Sequence, residues 1–340
     1  MKRQTIAARR WRNFKKNRRG FYSLIIFSLL FGLSLFAEVL SNDKPLLVKY
    51  EGSYYFPLLK AYPETVFGGI FDTETDYRDP YILEKLSTDG NTIIFPPNPY
   101  SYTSINLESD QPVPTPPSDD NLLGTDDRGR DVLARLIYGF RLSVLFSLAL
   151  TFIGTLLGII AGAIQGYFGG KVDLFFQRFI EIWSAMPELY LLIIFFSIFK
   201  PTILLILLLF SLFGWMGLSD YVRAEFLKGR NMEYVKAAKA LGVGNLTIMY
   251  RHLLPNGMTP VITFLPFRMS GAILYLTSLD FLGLGAPPPT PSLGELLNQG
   301  KANIEAWWLS FTTFGVLVGM LVLLIFIGEA LREAFDPRRQ

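Results

Sequence analysis

The sequence predicts an all-α polytopic membrane protein with six transmembrane helices and an irregular mixed segment inserted between the first two. Three observations carry that expectation. Of the 340 residues, 50% are hydrophobic and only 18% charged, against roughly 25% charged in soluble domains. Charge is absent from long runs: Gly20–Ala37, Leu142–Gly170, Pro201–Ser219, His252–Phe267, Met269–Leu279 and Leu309–Gly328. A helix crosses a hydrocarbon layer about 30 Å thick in about 20 residues, so most of these runs suit a crossing. The remaining charges are sorted by sign from loop to loop.

Residues 1–20 form a basic tail, with nine Lys/Arg and no acid in positions 1–19. The first span follows at 21–40. It reads as a retained anchor: its apolar run exceeds the 7–15 residues of a signal peptide, and Leu35-Phe36-Ala37 is a poor cleavage site. Residues 41–138 lie outside. They carry Tyr54-Tyr55-Phe56-Pro57 and an extended, hinge-like proline run from Gln111 to Pro117. The region 139–335 holds the other spans, with a loop at 220–256 and a short tail at 336–340.

Positive residues mark cytoplasmic segments. The basic N-terminus therefore lies inside, and six spans return Arg332, Arg338 and Arg339 to the same side. Asp220–Asn256, with six basic and three acidic residues, also falls inside. Asp43–Arg130, with seven basic and fifteen acidic residues, falls outside. The formal net charge of +3 averages these opposed segments. There is no cysteine and one histidine, His252, which excludes disulfides, thiolate chemistry and multi-histidine metal centres.

In the second span Gly154, Gly158, Gly162 and Gly166 recur every fourth residue and form one ridge that lets another helix approach. The ridge suits packing within the chain or against a partner subunit. Span three, Phe175–Phe199, holds Glu181 and Glu188 two turns apart, with a kink expected at Pro187. Arg268 sits mid-way along span five, about 258–280, and Asp280 at its outer end. Ionisable groups at such depth mark a pathway or a packed ion pair. A pair between Arg268 and one glutamate is expected, in a structural or a substrate-facing role.

In the inner loop, Asn231 suits an N-cap for a helix over Met232–Leu241, with Gly242 just past its end. Tyr234, Ala237, Ala238 and Leu241 share a face that another protein could approach closely. A second helix over Leu246–Leu254 is expected, capped by Asn245 and stopped by Pro255. Two short helices also suggest a DNA-reading helix-turn-helix. A loop pinned between two spans with a charge of only +3 argues against it, so no nucleic-acid partner is expected.

Lys236-Ala237-Ala238-x3-Gly242-x9-His252-x-Leu254-Pro255 resembles the EAA loop of ABC importer permeases, with Lys236 in place of the usual Glu and His252 in place of Ile. Arg251-His252-Leu253-Leu254-Pro255-Asn256 is similar to the oligopeptide/dipeptide branch. So are Leu123-Gly124-Thr125-Asp126 with Gly129-Arg130-Asp131 before span two, and Phe281-Leu282-Gly283-Leu284-Gly285 with Pro291-Ser292-Leu293-Gly294 after span five. Asn42-Asp43-Lys44-Pro45 and Tyr55-Phe56-Pro57-Leu58 further resemble the second permease subunit of Yej-type peptide importers, a branch that also admits the peptide antibiotic microcin C.

The resemblance implies a type I ABC importer permease fold in the bacterial inner membrane, both termini cytoplasmic. It implies half of a translocation path, completed by a second permease subunit as a heterodimer and fed with peptide by a periplasmic substrate-binding protein. The loop helix would dock on a cytoplasmic ABC ATPase. Tyr234, Lys236, Ala237, Ala238, Leu241, Gly242, Leu254 and Pro255 are the candidate coupling residues. No phosphate loop G-x-x-x-x-G-K-[ST] occurs in the sequence. The chain is therefore expected to be no enzyme and to hold no cofactor, with ATP and Mg on the partner ATPase. A related permease for another delivered solute, such as nickel or a sugar-derived ligand, is the alternative. An ion-driven secondary transporter would need more intramembrane ligands than Glu181, Glu188, Arg268 and Asp280.

Overall fold

A computed structural model describes residues 6–88, 90–106 and 112–336. Lys2, Arg3, Arg338 and Arg339 of the basic ends, and Gln111 of the proline run, lie outside them.

Among the described residues, helices dominate. They are α1 Ile6–Lys16, α2 Arg18–Leu35, α3 Ala37–Leu40, α4 Pro80–Leu86, α5 Val132–Phe168, α6 Gly170–Ser184 and α7 Glu188–Ile198. They continue with α8 Ile203–Ser211, α9 Met216–Gly229, α10 Glu233–Ala240, α11 Asn245–Thr247, α12 Leu254–Phe281, α13 Leu293–Ala302 and α14 Trp307–Phe335. Five stretches are long and apolar enough to cross a membrane: α2, α5, α8 with α9, α11 through α12, and α14. A sixth forms if α6 and α7 count together. The kink expected at Pro187 is a full break, since α6 and α7 are bent by 68° and Pro187 precedes the first residue of α7.

Two compact units are distinguished. One comprises Leu29–Ser143 and Pro288–Leu317. It contains the small antiparallel sheet, order β2-β1-β3, of β1 Leu47–Tyr50, β2 Ser53–Tyr55 and β3 Thr92–Ile94. Val48 is opposite both Tyr55 and Ile93. Buried Val48, Phe67, Tyr77, Ile82 and Leu86 form its core, and Tyr55, Tyr62 and Tyr77 meet Phe67 edge-on. This aromatic cluster forms the core of a small unit that has no cysteine to staple it.

The other unit comprises Met1–Ser28, Val144–Pro287 and Val318–Gln340. Within it the basic tail is itself helical as α1. Buried Phe14 packs on Ala330 and Ala334 of α14, Asn17 donates to Glu333 at 2.9 Å, and Arg10 lies 4.3 Å from the Phe335 ring centre. The glycine ridge packs inside the chain. A Cβ on Gly154 would meet the Gly214 carbonyl, on Gly158 that of Trp215, on Gly162 that of Ser219 and on Gly166 that of Arg223. From Gly158 to Gly166 the four-residue steps are matched by Trp215, Ser219 and Arg223, so backbone lies on backbone along that stretch.

Candidate functional site

The predicted inner loop is largely helical extension. Asp220–Gly229 continue α9, and helical backbone runs from Asn245 to Phe281. Hydropathy marks where a helix meets water, not where it ends. Only about fifteen residues, 230–244, separate the two long helices, and α10 occupies their centre.

Helix α10 ends as its glycine requires. Gly242 has φ +77°, its N–H donates to the Lys239 carbonyl at 3.0 Å, and Val243 N–H donates to the Ala238 carbonyl at 3.0 Å. This is a Schellman close, with the left-handed residue where only a glycine avoids the Cβ penalty. Asn231 is not the N-cap. Its amide reaches back to the Leu227 carbonyl at 3.4 Å, and the position before α10 is Met232, with no side-chain cap. Asn245 is likewise not a cap: its Oδ1 accepts from the Tyr167 hydroxyl at 2.7 Å. Nor does Pro255 stop a helix. A π-helical turn, Ile248–Leu253, precedes it, and Pro255 is the second residue of α12, within the helical stretch that continues to Phe281.

The candidate coupling residues divide between two faces. Val235 and Ala238 are buried on a cluster that includes Tyr167, Val222, Phe226, Ile248 and Leu253, with Leu254 packed at its edge. Ala238, expected on the open face, thus points into the chain's own core. Tyr234, Lys236, Ala237, Leu241, Gly242 and Pro255 are exposed. Leu241 is 83% exposed, Leu246 80% and Tyr250 76%. Tyr234 also accepts from Asn256 at 3.4 Å, and Lys236 pairs with Glu233 at 2.9 Å. Fully burying Val235 contributes about 1.5–3 kcal/mol, which holds the short helix to the spans.

The intramembrane charges do not pair as expected. Glu181 binds Arg178 at 2.5 Å on an exposed turn. Arg268 Nη2 donates to the Gly214 carbonyl at 2.8 Å, beside Gly154. Arg268 and Glu188 instead line one cavity of about 240 Å³ without an ion pair between them. Asp280 is buried against Gly285 at the end of α12.

Sequence reasoning missed a buried ionic cluster in the unit that includes Leu29–Ser143. Arg130 binds Asp126 at 2.6 Å and Glu295 at 3.2 Å, while Arg135 meets Asp126 at 3.4 Å and Glu295 at 2.5 Å. Asp131 accepts from Asn98 at 2.8 Å, Asn121 at 2.9 Å and the Ala134 N–H at 2.7 Å. The Asp126 carbonyl accepts from Gly129, whose φ is +76°. The signals available were the run of charges just before an apolar helix and the Leu123–Asp126 and Gly129–Asp131 motif, neither of which points to Glu295.

An inward-packed helix between two long spans, on a glycine-ridged bundle of five to six crossings, is the arrangement of a transport permease. The model of the family described as binding-protein-dependent transport system inner membrane component matches residues 154–340. That of the N-terminal TM domain of oligopeptide transport permease C matches residues 5–56. The chain belongs to this family of multi-pass inner-membrane permeases of ABC importers, which are transport components rather than enzymes.

It is 54% identical over 330 residues to the inner membrane ABC transporter permease protein YejE of Escherichia coli, covering 97% of this chain and 96% of that one. The peptidoglycan transport system permease protein YejE of Agrobacterium fabrum is 52% identical over 355 residues, covering 97% and 93%. The oligopeptide transport system permease protein OppC of Haemophilus influenzae is 39% identical over 220 residues, covering 64% and 70%.

Proposed function

We propose that this chain forms half of the translocation path of an ATP-driven importer that carries peptides from periplasm to cytoplasm by alternating access. A second permease would supply the other half, a periplasmic binding protein the cargo, and a separate ABC ATPase, with its ATP and Mg, the energy. Both termini and α10 would face the cytoplasm. Microcin C belongs among the cargoes to test. So does peptidoglycan-derived material, since the Agrobacterium relative is named a peptidoglycan transport system permease.

The observation that carries the reading is the two-faced helix α10. Its exposed face offers Ala237 between Tyr234 and Leu241, a shallow apolar surface suited to the groove of a partner. Its buried face keys Val235 and Ala238 onto Val222 and Phe226 of α9. There α9 lies backbone to backbone on Gly162 and Gly166 of α5. A displacement of α10 by an ATPase therefore meets contiguous packing rather than a slack loop, as closely packed interiors transmit strain.

Two substitutions test it in the purified complex. Ala237→Trp fills the exposed face without touching the core. A Cβ at Gly242 meets no atom within 4 Å, so Gly242→Val chiefly opposes the left-handed backbone, at a cost of about 1–2 kcal/mol. Both are expected to abolish peptide-stimulated ATPase activity, and Gly242→Asn, which tolerates that backbone, to retain most of it. Unaltered stimulation in both damaging variants would rule the coupling role out.

A further inference from the structure

The charged cavity in the unit containing α12 has no assigned role. Its wall includes Thr151 of α5, Glu188 of α7, Phe210, Phe213, Arg268 of α12 and Tyr275. Three features set it apart from a packing defect. Arg268 Nη2 donates to the Gly214 carbonyl at 2.8 Å, while its buried Nε has no partner among the described residues. Thr151, only 5% exposed, also leaves its hydroxyl unpartnered. Glu188 faces the same space from beyond the break between α6 and α7, and is not paired with Arg268.

Each such group costs free energy in a dry interior. An unpartnered guanidinium Nε and an unpartnered hydroxyl, on two residues that line one cavity, are donors suited to a carboxylate. We propose that this cavity receives the terminal carboxylate of a peptide in transit, with Arg268 and Thr151 donating to it. The inference rests on the peptide-importer reading above and adds the part of the cargo that is recognised.

At about 240 Å³ the cavity falls below the roughly 300–1,000 Å³ of a pocket for a drug-sized ligand. It therefore takes an end group rather than a whole cargo. The aromatic rings Phe210, Phe213 and Tyr275 accept whatever side chain accompanies that end, which suits a transporter of varied peptides. Glu188 has the complementary function. A carboxylate held by Arg268 sits in a wall that also carries a negative charge, so it is held weakly enough to leave, as conduction requires.

The test uses the whole complex in proteoliposomes, with labelled tri-alanine and its C-terminal amide as probes. Each variant is compared with the unsubstituted complex on the same probe, so that any preference of the binding protein cancels. Arg268→Gln is expected to lower the uptake of tri-alanine about tenfold, the scale of one lost charge-assisted bond, and that of the amide less than twofold. Arg268→Lys and the isosteric Thr151→Val should raise KM for tri-alanine to a smaller degree, and they serve if Arg268→Gln does not assemble. Glu188→Gln should shift KM for tri-alanine downward, opposite in sign to the Arg268 variants. Equal losses for the two probes would make Arg268 a packing residue and overturn the proposal, as would no loss at all. Failure of the unsubstituted complex to take up either probe is a different result, because it would remove the peptide reading itself.

Discussion

The Arg135 guanidinium is fully buried and meets the Glu295 carboxylate at 2.5 Å, across 160 positions of sequence. Arg130 and Asp126 complete a cluster in which each charge has an opposite partner. Such a cluster contributes little net attraction, yet removing one member strands the rest. Arg135→Met is expected to cost about 3–5 kcal/mol by leaving buried carboxylate uncompensated. In detergent this should lower Tm by something on the order of 5–10 °C. An unchanged Tm would show that the cluster is not a structural unit.

The glycine ridge gives a sharper contrast. A Cβ at Gly162 would overlap the Ser219 carbonyl and lie 2.8 Å from Val222 Cβ, whereas one at Gly217 meets nothing within 4 Å. Gly162→Ala should destabilise by about 1–3 kcal/mol through overpacking, and Gly217→Ala should leave Tm unchanged or raised. Equal behaviour of the two would contradict the close approach of α5 and α9.

Phe14 is the apolar anchor of the basic tail, beside the Asn17–Glu333 bond and the Arg10–Phe335 contact. Phe14 is 2% exposed against Ala330 and Ala334, so Phe14→Ala removes most of the apolar contact of α1. Hydrogen exchange of residues 6–16 should accelerate at least tenfold, since the lost burial is worth about 3–5 kcal/mol, while α14 stays protected. Unchanged exchange over these residues would mean that α1 is retained by its charges instead.

Asp127 sets a pH dependence. Burial, and then the neighbouring Asp126 charge, raise its carboxyl above the ordinary value. A raised folded-state value favours the protonated form, so the ionised group opposes the fold at neutral pH. That opposition fades as pH falls through the raised value and vanishes below the ordinary one. Asp127→Asn should therefore raise Tm slightly at pH 7 and make no difference near pH 3.5. The effect is small because the side chain is 38% exposed and screened. A lower Tm at pH 7 would reverse the sign.

Much of this was legible from residue types. Charge-free runs marked the crossings because hydrocarbon admits few charges, and Gly242 marked the end of α10 because its backbone needs φ > 0. The four-residue glycine spacing showed a ridge, but not which neighbour would fill it. Contacts distant in sequence stayed hidden. Nothing near Arg135 pointed to Glu295, and the break at Pro187 bends α6 and α7 by 68°, so that two glutamates seven residues apart do not share a straight helix. Local competition also defeated simple rules. Asn245 is engaged by Tyr167 instead of capping, and a π turn absorbs Pro255.

On the proposed reading this permease, with its partners, moves peptide at the expense of ATP. The most direct measurement is uptake of labelled tri-alanine into proteoliposomes holding the intact complex and the binding protein, with ATP inside or outside the vesicles. With the permeases oriented so that the α10 face and ATP share one compartment, the expected result is accumulation of peptide in that compartment, abolished by Ala237→Trp. Peptide entry that is indifferent to ATP, or to that substitution, would contradict the account.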